Sequence, residues 1–226
     1  QRNHNVGGWF SSDYRKKLAF DANYNFRKFD APGRYRANIS MGPLIRFNDK
    51  FSIRFRVGRF NFVNDEGAAI SINGGGTIIN DDIIFGKRDQ LTYENVLSAS
   101  YIFTNRMGVT LRVRHYWSKV KYDSFHILDE DGYLTESTYD GLDADGESLH
   151  NTNFNAFNID MVYRWVFSPG SEISFVWKNS LIDFNNTVST KYFENFEKTI
   201  GSDQTNSVSL KVLYYIDYLS LKKKNS

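Results

Sequence analysis

Large apolar side chains occupy every second position over long stretches of this sequence. Residues 157–167 read FNIDMVYRWVF, with Phe157 and Trp165 among the apolar positions and Asp160 and Arg164 between them. Successive side chains of a β-strand point to opposite faces of the sheet, so this pattern predicts a strand with one aromatic face and one polar face. The apolar faces of such strands must be covered, either by a second sheet or by lipid.

The same alternation recurs along the chain and predicts about eight strands. Turn residues separate the alternating segments, and no stretch has the apolar period of a helix. We therefore expect an all-β, antiparallel chain that forms one domain over residues 1–226. The predicted strands are residues 18–26, 34–47, 51–57, 96–103, 109–117, 157–167, 172–178 and 207–219.

The predicted connections alternate between short and long. Transmembrane β-barrels of the outer membrane have short periplasmic turns at one end and longer extracellular loops at the other. The loop lengths therefore favour a transmembrane β-barrel. The short connections are residues 47–50, 105–108 and 168–171, together with 30–33, and the long ones are roughly residues 64–90, 123–152 and 185–205.

Aromatic residues cluster beside the predicted short turns. Aromatic side chains form girdles at the two membrane interfaces of a barrel, so this placement again favours a barrel over a soluble sandwich. The alternation itself is equally compatible with a sandwich. The expected inner girdle is Phe47, Phe51, Phe103, Trp165, Phe167 and Tyr218, and the outer girdle is Tyr24, Phe26, Trp117 and Phe157.

Four residues fit the predicted lipid-facing surface poorly. Asn95, His115 and Asn179 have outward parity, and we expect lipid headgroups around them because they lie near the long loops. Pro43 lacks a backbone donor, so we expect a bulge or a frayed rim there.

Composition excludes several classes of protein. The formal net charge is +2, which gives no electrostatic basis for nucleic-acid binding. The absence of cysteine excludes disulfides and thiolate metal sites, and no cofactor is expected. No apolar run is long enough for a transmembrane helix, whereas the hydropathy signal of a barrel strand is weak.

The predicted inward face is rich in arginine. Rings of arginine and lysine attract anions, so one hypothesis is an anion-attracting lumen. The alternative is that these arginines are paired, either with carboxylates from strands outside this sequence or with a plug, because isolated like charges in a confined space are costly. Arg36 and Arg54 or Arg56 are expected on neighbouring strands. The basic cluster is Arg34, Arg36, Arg54, Arg56, Arg112 and Arg114.

Two weaker hypotheses concern the segment from 114 to 150. Residues 123–150 contain nine Asp or Glu and no Lys or Arg. Asp143, Asp145 and Glu147 are a weak candidate calcium site, because their spacing repeats part of an EF-hand loop, although Asp-Gly stretches are also typical of turns. His115 and Ser118 have opposite parity, so we expect no catalytic pair and name no catalytic residue.

The chain also resembles a known family in several segments. These are SSDYRKK (11–17), FGKRDQLTYEN (85–95), LRVRHYWSKVKY (111–122), residues 151–180 and SLKVLYYIDYLSLKK (209–223), with FNIDMVYRWVFSPGSE the most specific. The family is a large outer-membrane barrel domain of unknown function in Bacteroidota. It usually follows an N-terminal carbohydrate-binding domain similar to family 9. The resemblance implies that this chain is the C-terminal portion of a larger barrel, and it implies no catalytic residues.

We therefore expect an integral outer-membrane β-barrel that is not an enzyme. It would act as a porin-like channel or surface scaffold in glycan or nutrient handling, within a larger outer-membrane assembly. Expected partners are outer-membrane lipid and lipopolysaccharide, other outer-membrane proteins, and glycans through an upstream domain, but no nucleic acid. Two alternatives stay open: an outer-membrane enzyme with its site in the long extracellular loops, and a soluble β-sandwich binding module.

Overall fold

A computed structural model describes residues 2–70, 76–79 and 82–217 of the chain. These residues form one antiparallel sheet of eleven strands and one helix, which confirms the all-β antiparallel prediction. The elements are β1 Asn3–Ser11, β2 Leu18–Phe29, β3 Tyr35–Arg46, β4 Phe51–Ala68, β5 Ile78–Ile79, β6 Asp82–Thr104, β7 Met107–Leu128, β8 Leu134–Glu136, β9 Thr152–Ser168, β10 Ser171–Asn185, α1 Tyr192–Ile200 and β11 Thr205–Leu213.

Nine of the strands follow one another in the sheet as a simple meander. Their order is β1-β2-β3-β4-β6-β7-β9-β10-β11, while short β5 and β8 pair with β6 and β7. Every pairing is antiparallel. Within the described residues β1 pairs only with β2 and β11 only with β10, so the sheet is not closed.

The eight predicted strands all exist, but the predicted number is wrong. The alternation in β1 was missed because its outward positions include Gly8, which leaves only Val6 and Phe10 as large apolar residues. Strands β4, β6 and β7 also run well into the segments predicted as long loops.

Two local irregularities differ from the sequence prediction. The bulge expected at Pro43 is absent, because pairing between β3 and β4 stops at Met41 and resumes at Leu44 without a change of register. A register shift occurs instead between Phe62 and Asp65 in β4. In that bulge Asn64 has a φ of 50°, which Asn tolerates better than most residues.

The predicted alternation of short and long connections is confirmed. Residues 12–17, 47–50, 105–106 and 169–170 connect strands at one end of the sheet, which we call the short-turn end. Longer segments join β4 to β6, β7 to β9 and β10 to β11 at the opposite end, the long-loop end. The β2–β3 connection is the exception, because it is short and lies at the long-loop end.

Aromatic side chains at the short-turn end contact one another from the turn after β3 through β4 and β6 to β9. The ring centroids of Phe47 and Phe51 are 4.9 Å apart, and Phe51 lies 6.0 Å from Tyr101. Tyr101 is 4.8 Å from Phe103, which is 6.4 Å from Tyr163. Three residues of the predicted inner girdle, Phe47, Phe51 and Phe103, therefore belong to one chain of ring contacts.

A separate set of ring contacts at the short-turn end involves Trp165 and Phe167 of the predicted inner girdle. Trp165 lies 5.9 Å from Phe167, and Phe167 stacks 6.2 Å from Tyr214, just after β11. Tyr218, which was also predicted in this girdle, lies outside the described residues.

Helix α1 lies on the apolar face of the sheet near the long-loop end. The Phe196 ring is 4.9 Å from that of His115 and 6.1 Å from that of Phe157. Asn195 and Asn155 are buried and bond to each other, with Asn195 Nδ2 donating to Asn155 Oδ1 over 2.6 Å. The expectation that the chain contains no helix is therefore wrong.

The helix also accounts for the polar residues with outward parity. Asn95 Nδ2 donates to Tyr192 Oη over 2.7 Å, and the same oxygen lies 2.9 Å from His115 Nδ1. Trp117 is 1% exposed beneath α1 and does not belong to an exposed outer girdle. Asn179 Nδ2 donates to Gln204, which follows α1, and to Asn206 on β11. Protein contacts thus surround these residues, rather than the headgroups expected from the sequence.

The extensions of β4, β6 and β7 carry a small core of their own at the long-loop end. Ala69, Ile84 and Phe125 are its buried apolar residues. His150 is 1% exposed, with its Nε2 atom 2.7 Å from Tyr139 Oη. The described parts of the β4–β6 and β7–β9 connections are therefore packed structure, built on strands that continue beyond the main sheet.

The only helix in the described part of the chain is α1, and it is neither long nor apolar enough to cross a membrane.

Gly141 is expected to be essential to the loop core. It has a φ of +72°, and a Cβ atom there would lie 2.4 Å from Phe125 ring atoms. Gly146 has a φ of +79° with open space around it. Gly146→Ala should therefore lower the free energy of unfolding only by the strain of its left-handed backbone. Gly141→Ala should lower it by about 1–3 kcal/mol more, because the Phe125 ring must also move. Amide hydrogen exchange over residues 122–127 measures the difference, and equal exchange in the two variants would contradict this packing.

Candidate functional site

The structure divides the six predicted arginines into two groups. Arg34 and Arg36 lie at the long-loop end of the polar face, beside the extension of β4. Arg54, Arg56, Arg112 and Arg114 lie exposed in the middle of that face, on β4 and β7. Arg36 and Arg54 or Arg56 lie on neighbouring strands, as predicted, but Arg36 is in register with Phe62, so it does not cluster with them.

The four central arginines lie in two adjacent rows across the sheet. In the first row Arg54 pairs with Ser98, Ser98 with Arg112, and Arg112 with Asp160, which is followed by Lys178. Neighbouring strands are about 4.8 Å apart, so the backbones of Arg54 and Arg112 are separated by about 10 Å. The antiparallel register therefore places a residue of β6 between two arginines.

The second row repeats this arrangement one step nearer the long loops. Arg56 pairs with Val96, Val96 with Arg114, and Arg114 with Asn158. Arg114 Nη2 donates to Asn158 Oδ1 over 3.2 Å. The two rows form a four-arginine patch centred on β6, which we call the central arginine patch.

Two clefts flank the central arginine patch. The cleft beside Arg54 and Arg56 has a volume of about 270 Å³ and includes Asp21. The cleft beside Arg112 and Arg114 has a volume of about 350 Å³ and includes Asp160. Apolar side chains, among them Trp9 and Met41, also line the first cleft, whereas small polar side chains complete the lining of the second.

Carboxylates compensate the central arginine patch only weakly. Within the described part of the chain none of its four guanidinium groups forms an ion pair within 4.0 Å. Asp21 accepts hydrogen bonds from Ser11 and Tyr14 instead. Asp160 lies 3.9 Å from the ammonium group of Lys178. For these four arginines the geometry favours the anion-attracting hypothesis.

Arg34 and Arg36 are compensated, as the alternative hypothesis expects, but their carboxylates come from β4 of this chain and not from strands outside it. Arg34 donates to Asp65 over 2.9 Å and to Glu66 over 3.1 Å, and Arg36 donates to Asp65 over 3.1 Å. Their guanidinium groups also lie over the Phe29 ring, at 4.7 and 5.4 Å. The carboxylates were missed because the sequence placed them in a loop, whereas β4 continues through them after its bulge.

The arginine contacts shift the protonation equilibrium of Asp65. Burial alone would raise the pKa of this carboxyl, but hydrogen bonds from Arg34 and Arg36 outweigh burial and hold the pKa below its usual value. A lowered pKa in the folded state means that ionised Asp65 stabilises the fold. That stabilisation is present above the ordinary carboxyl pKa and is lost as pH falls through the lowered value.

Replacing Asp65 by Asn should destabilise the protein near neutral pH. Two arginines would lose their shared carboxylate, which should lower the free energy of unfolding by about 2 kcal/mol relative to the wild type. The deficit should shrink as pH falls below about 4, because the wild-type carboxyl then becomes protonated. Thermal unfolding midpoints of both proteins across pH test this. The control is Asp13→Asn, which removes an exposed ion pair with Arg15 and should change little. A deficit that does not depend on pH would contradict the assignment.

The weak calcium candidate has a local structural role in the fold. Asp143 Oδ1 accepts hydrogen bonds from the backbone N–H groups of Asp145 and Glu147, at 3.0 and 2.8 Å. Asp143 thereby stabilises a tight turn. Among the described residues no group of three or more His, Asp or Glu side chains is placed to hold a metal ion. Calcium binding at this turn stays a prediction.

His115 and Ser118 lie on opposite faces of β7, as their parity predicts. His115 Nδ1 contacts Tyr192 on the apolar face, while Ser118 Oγ lies 2.9 Å from Thr92 Oγ1 on the polar face. The two side chains therefore cannot act together as a nucleophile and its base.

The fold defines a class of protein, an antiparallel β-meander with one apolar face and one polar face. Within that class the chain matches, over residues 1–225, the model of the family described as Domain of unknown function (DUF5916). The chain belongs to this family. No curated protein and no solved structure matches it significantly.

Proposed function

We propose that this chain forms part of an outer-membrane β-barrel of a Bacteroidota-type protein. Its apolar face contacts lipid and lipopolysaccharide, and its polar face lines a water-filled interior. The short turns lie in the periplasm and the long loops outside the cell. The protein is a non-enzymatic channel or surface scaffold for glycan or nutrient handling, working with other outer-membrane proteins and with an upstream carbohydrate-binding domain similar to family 9.

The observation that carries this proposal is the uncovered apolar face of the sheet. Phe55, Leu97 and Val208 are 40%, 37% and 63% exposed, although they lie on different strands of that face. A soluble sandwich needs a second sheet against such a surface. Among the described helices and strands only α1 packs on it. Large contiguous apolar surfaces are otherwise rare on soluble monomers, so lipid is the simplest cover.

The height of the apolar band supports the same proposal. On β6 Phe103 belongs to the aromatic chain at the short-turn end, and Tyr93 stacks on Trp117 near the long-loop end. Ten residues separate Phe103 from Tyr93 in the numbering, which corresponds to about 34 Å along a strand. With the tilt of about 40° that is usual in barrels, this spans about 26 Å of membrane, close to the expected apolar band.

The two edges of the sheet support a barrel larger than the described part. Strands β1 and β11 each have one edge whose backbone groups are unpaired within the described residues. Hydrocarbon offers no hydrogen-bond partners, so an open edge is not viable in a membrane. We infer that further strands pair with β1 and β11.

Cysteine scanning along β6 tests the orientation of the two faces. The sequence contains no native cysteine. Single cysteines are introduced at Leu97, Ser98, Ala99 and Ser100. In intact outer membranes their labelling by a thiol reagent should alternate from one position to the next. A water-soluble thiol reagent should label the two serine positions and leave the other two unlabelled. The control is urea-unfolded protein, in which all four must react. Equal labelling of all four in membranes would refute the lipid-facing assignment.

Conductance in planar bilayers tests the role of the central arginine patch. The full-length protein should pass current with a preference for anions, measured as the reversal potential in a salt gradient. Arg54→Ala combined with Arg112→Ala should shift that potential towards cation preference, because two uncompensated charges leave the interior. Arg106→Ala in the turn after β6 is the matched control and should leave it unchanged. An unchanged reversal potential in the double variant would show that the central arginine patch does not determine ion selectivity. If the protein passes no current, the scaffold role is favoured over the channel.

A further inference from the structure

A groove runs along the apolar face between α1 and strands β4, β6 and β7. Its volume is about 500 Å³. Phe55, Leu97 and Val113 form its floor and lie side by side in one row of the sheet. Phe193 and Phe196 of α1 form its wall. This groove is continuous with the apolar surface that the proposed function assigns to lipid.

Polarity increases along the groove towards the long-loop end. The row after the apolar floor contains Asn95 and His115, which share Tyr192 Oη as a hydrogen-bond partner. The next row contains Arg59, which is in register with Tyr93 in the groove lining. The site therefore changes from apolar to cationic over two steps of the sheet, about 14 Å along the strands.

Arg59 is an unusual residue for its position. It is exposed on the apolar face, and its registered neighbours there are Ile39 and Tyr93. Within the described residues its guanidinium group takes part in no hydrogen bond, ion pair or cation–π contact. A cation at the edge of an apolar band is suited to an anionic group at headgroup level.

Helix α1 presents a second apolar side next to the groove. Phe193 is 81% exposed and Ile200 is 41% exposed, and their spacing places them on one side of the helix. Glu194 and Lys198 lie on another side. A short helix with this division is suited to lie in the interface plane with its apolar side in lipid.

We propose that this groove binds a phosphorylated outer-leaflet lipid of the lipopolysaccharide class. One acyl chain lies against Phe55, Leu97 and Phe193, and a phosphate of the headgroup contacts Arg59. The inference rests on the proposed membrane orientation and adds a defined lipid site to it. The groove is apolar and suits an acyl chain, and the uncompensated guanidinium group of Arg59 at its long-loop end suits a phosphate.

Native mass spectrometry of the full-length protein in detergent tests the site. The probes are bisphosphorylated lipid A, the same lipid with its phosphates removed, and inorganic phosphate. Arg59→Gln should weaken binding of bisphosphorylated lipid A about tenfold and leave the dephosphorylated lipid unaffected. Phe193→Ala should weaken both lipids. Because Phe193 is largely exposed, this variant should retain the fold, which circular dichroism checks.

The matched control is Lys28→Gln. Lys28 is another exposed cation on the apolar face, but it lies on β2, away from the groove. This variant should bind both lipids like the wild type. An equal loss in Lys28→Gln and Arg59→Gln would overturn the site in favour of general charge attraction. Competition by inorganic phosphate alone, or unchanged binding in Phe193→Ala, would overturn it too. Cysteine labelling along β6 reports the membrane orientation independently of these results.

Discussion

The antiparallel register determines nearly every property of this molecule. Because each strand pairs with its neighbour over a long ladder, one residue in a strand fixes a whole row across the sheet. The period of two then assigns each row to one face. Arg54, Ser98 and Arg112 share a face for this reason, although they are far apart in sequence. A shift of one residue in the pairing of a strand would move these charges to the apolar face. The alternation of apolar and polar residues therefore specifies the register.

Burial and charge are balanced differently at the two levels of the polar face. Near the long loops Arg34 and Asp65 are largely buried, and their charges are compensated by short contacts. In the middle of the face Arg56 and Arg112 are exposed, so water can solvate them without a protein partner. Buried arginines without carboxylates would be costly, whereas exposed ones are tolerated. The same residue type therefore stabilises the fold at one level and leaves a positive field at the other.

Alternation was enough to predict eight of the strands and their two faces, because a period of two is a local property of the sequence. It missed β1 and the short strands β5 and β8. The carboxylate partner of Arg34 could not be predicted in the same way. The bulge at Asn64 interrupts the alternation, so the parity of Asp65 cannot be counted from the strand before it. Helix α1 was missed because nine residues give too short a helical pattern to stand out beside long strands.

One signal for α1 was nevertheless present in the sequence. Asn95 and His115 interrupt the apolar face in neighbouring strands and in the same row. Polar groups left without partners on a lipid-facing surface would be costly, so a row of them implies a protein cover. Tyr192 supplies that cover and bonds both side chains at once. The polar row and the helix therefore depend on each other. Polar residues that break an apolar face in register are evidence for a packed element rather than for an interface with headgroups.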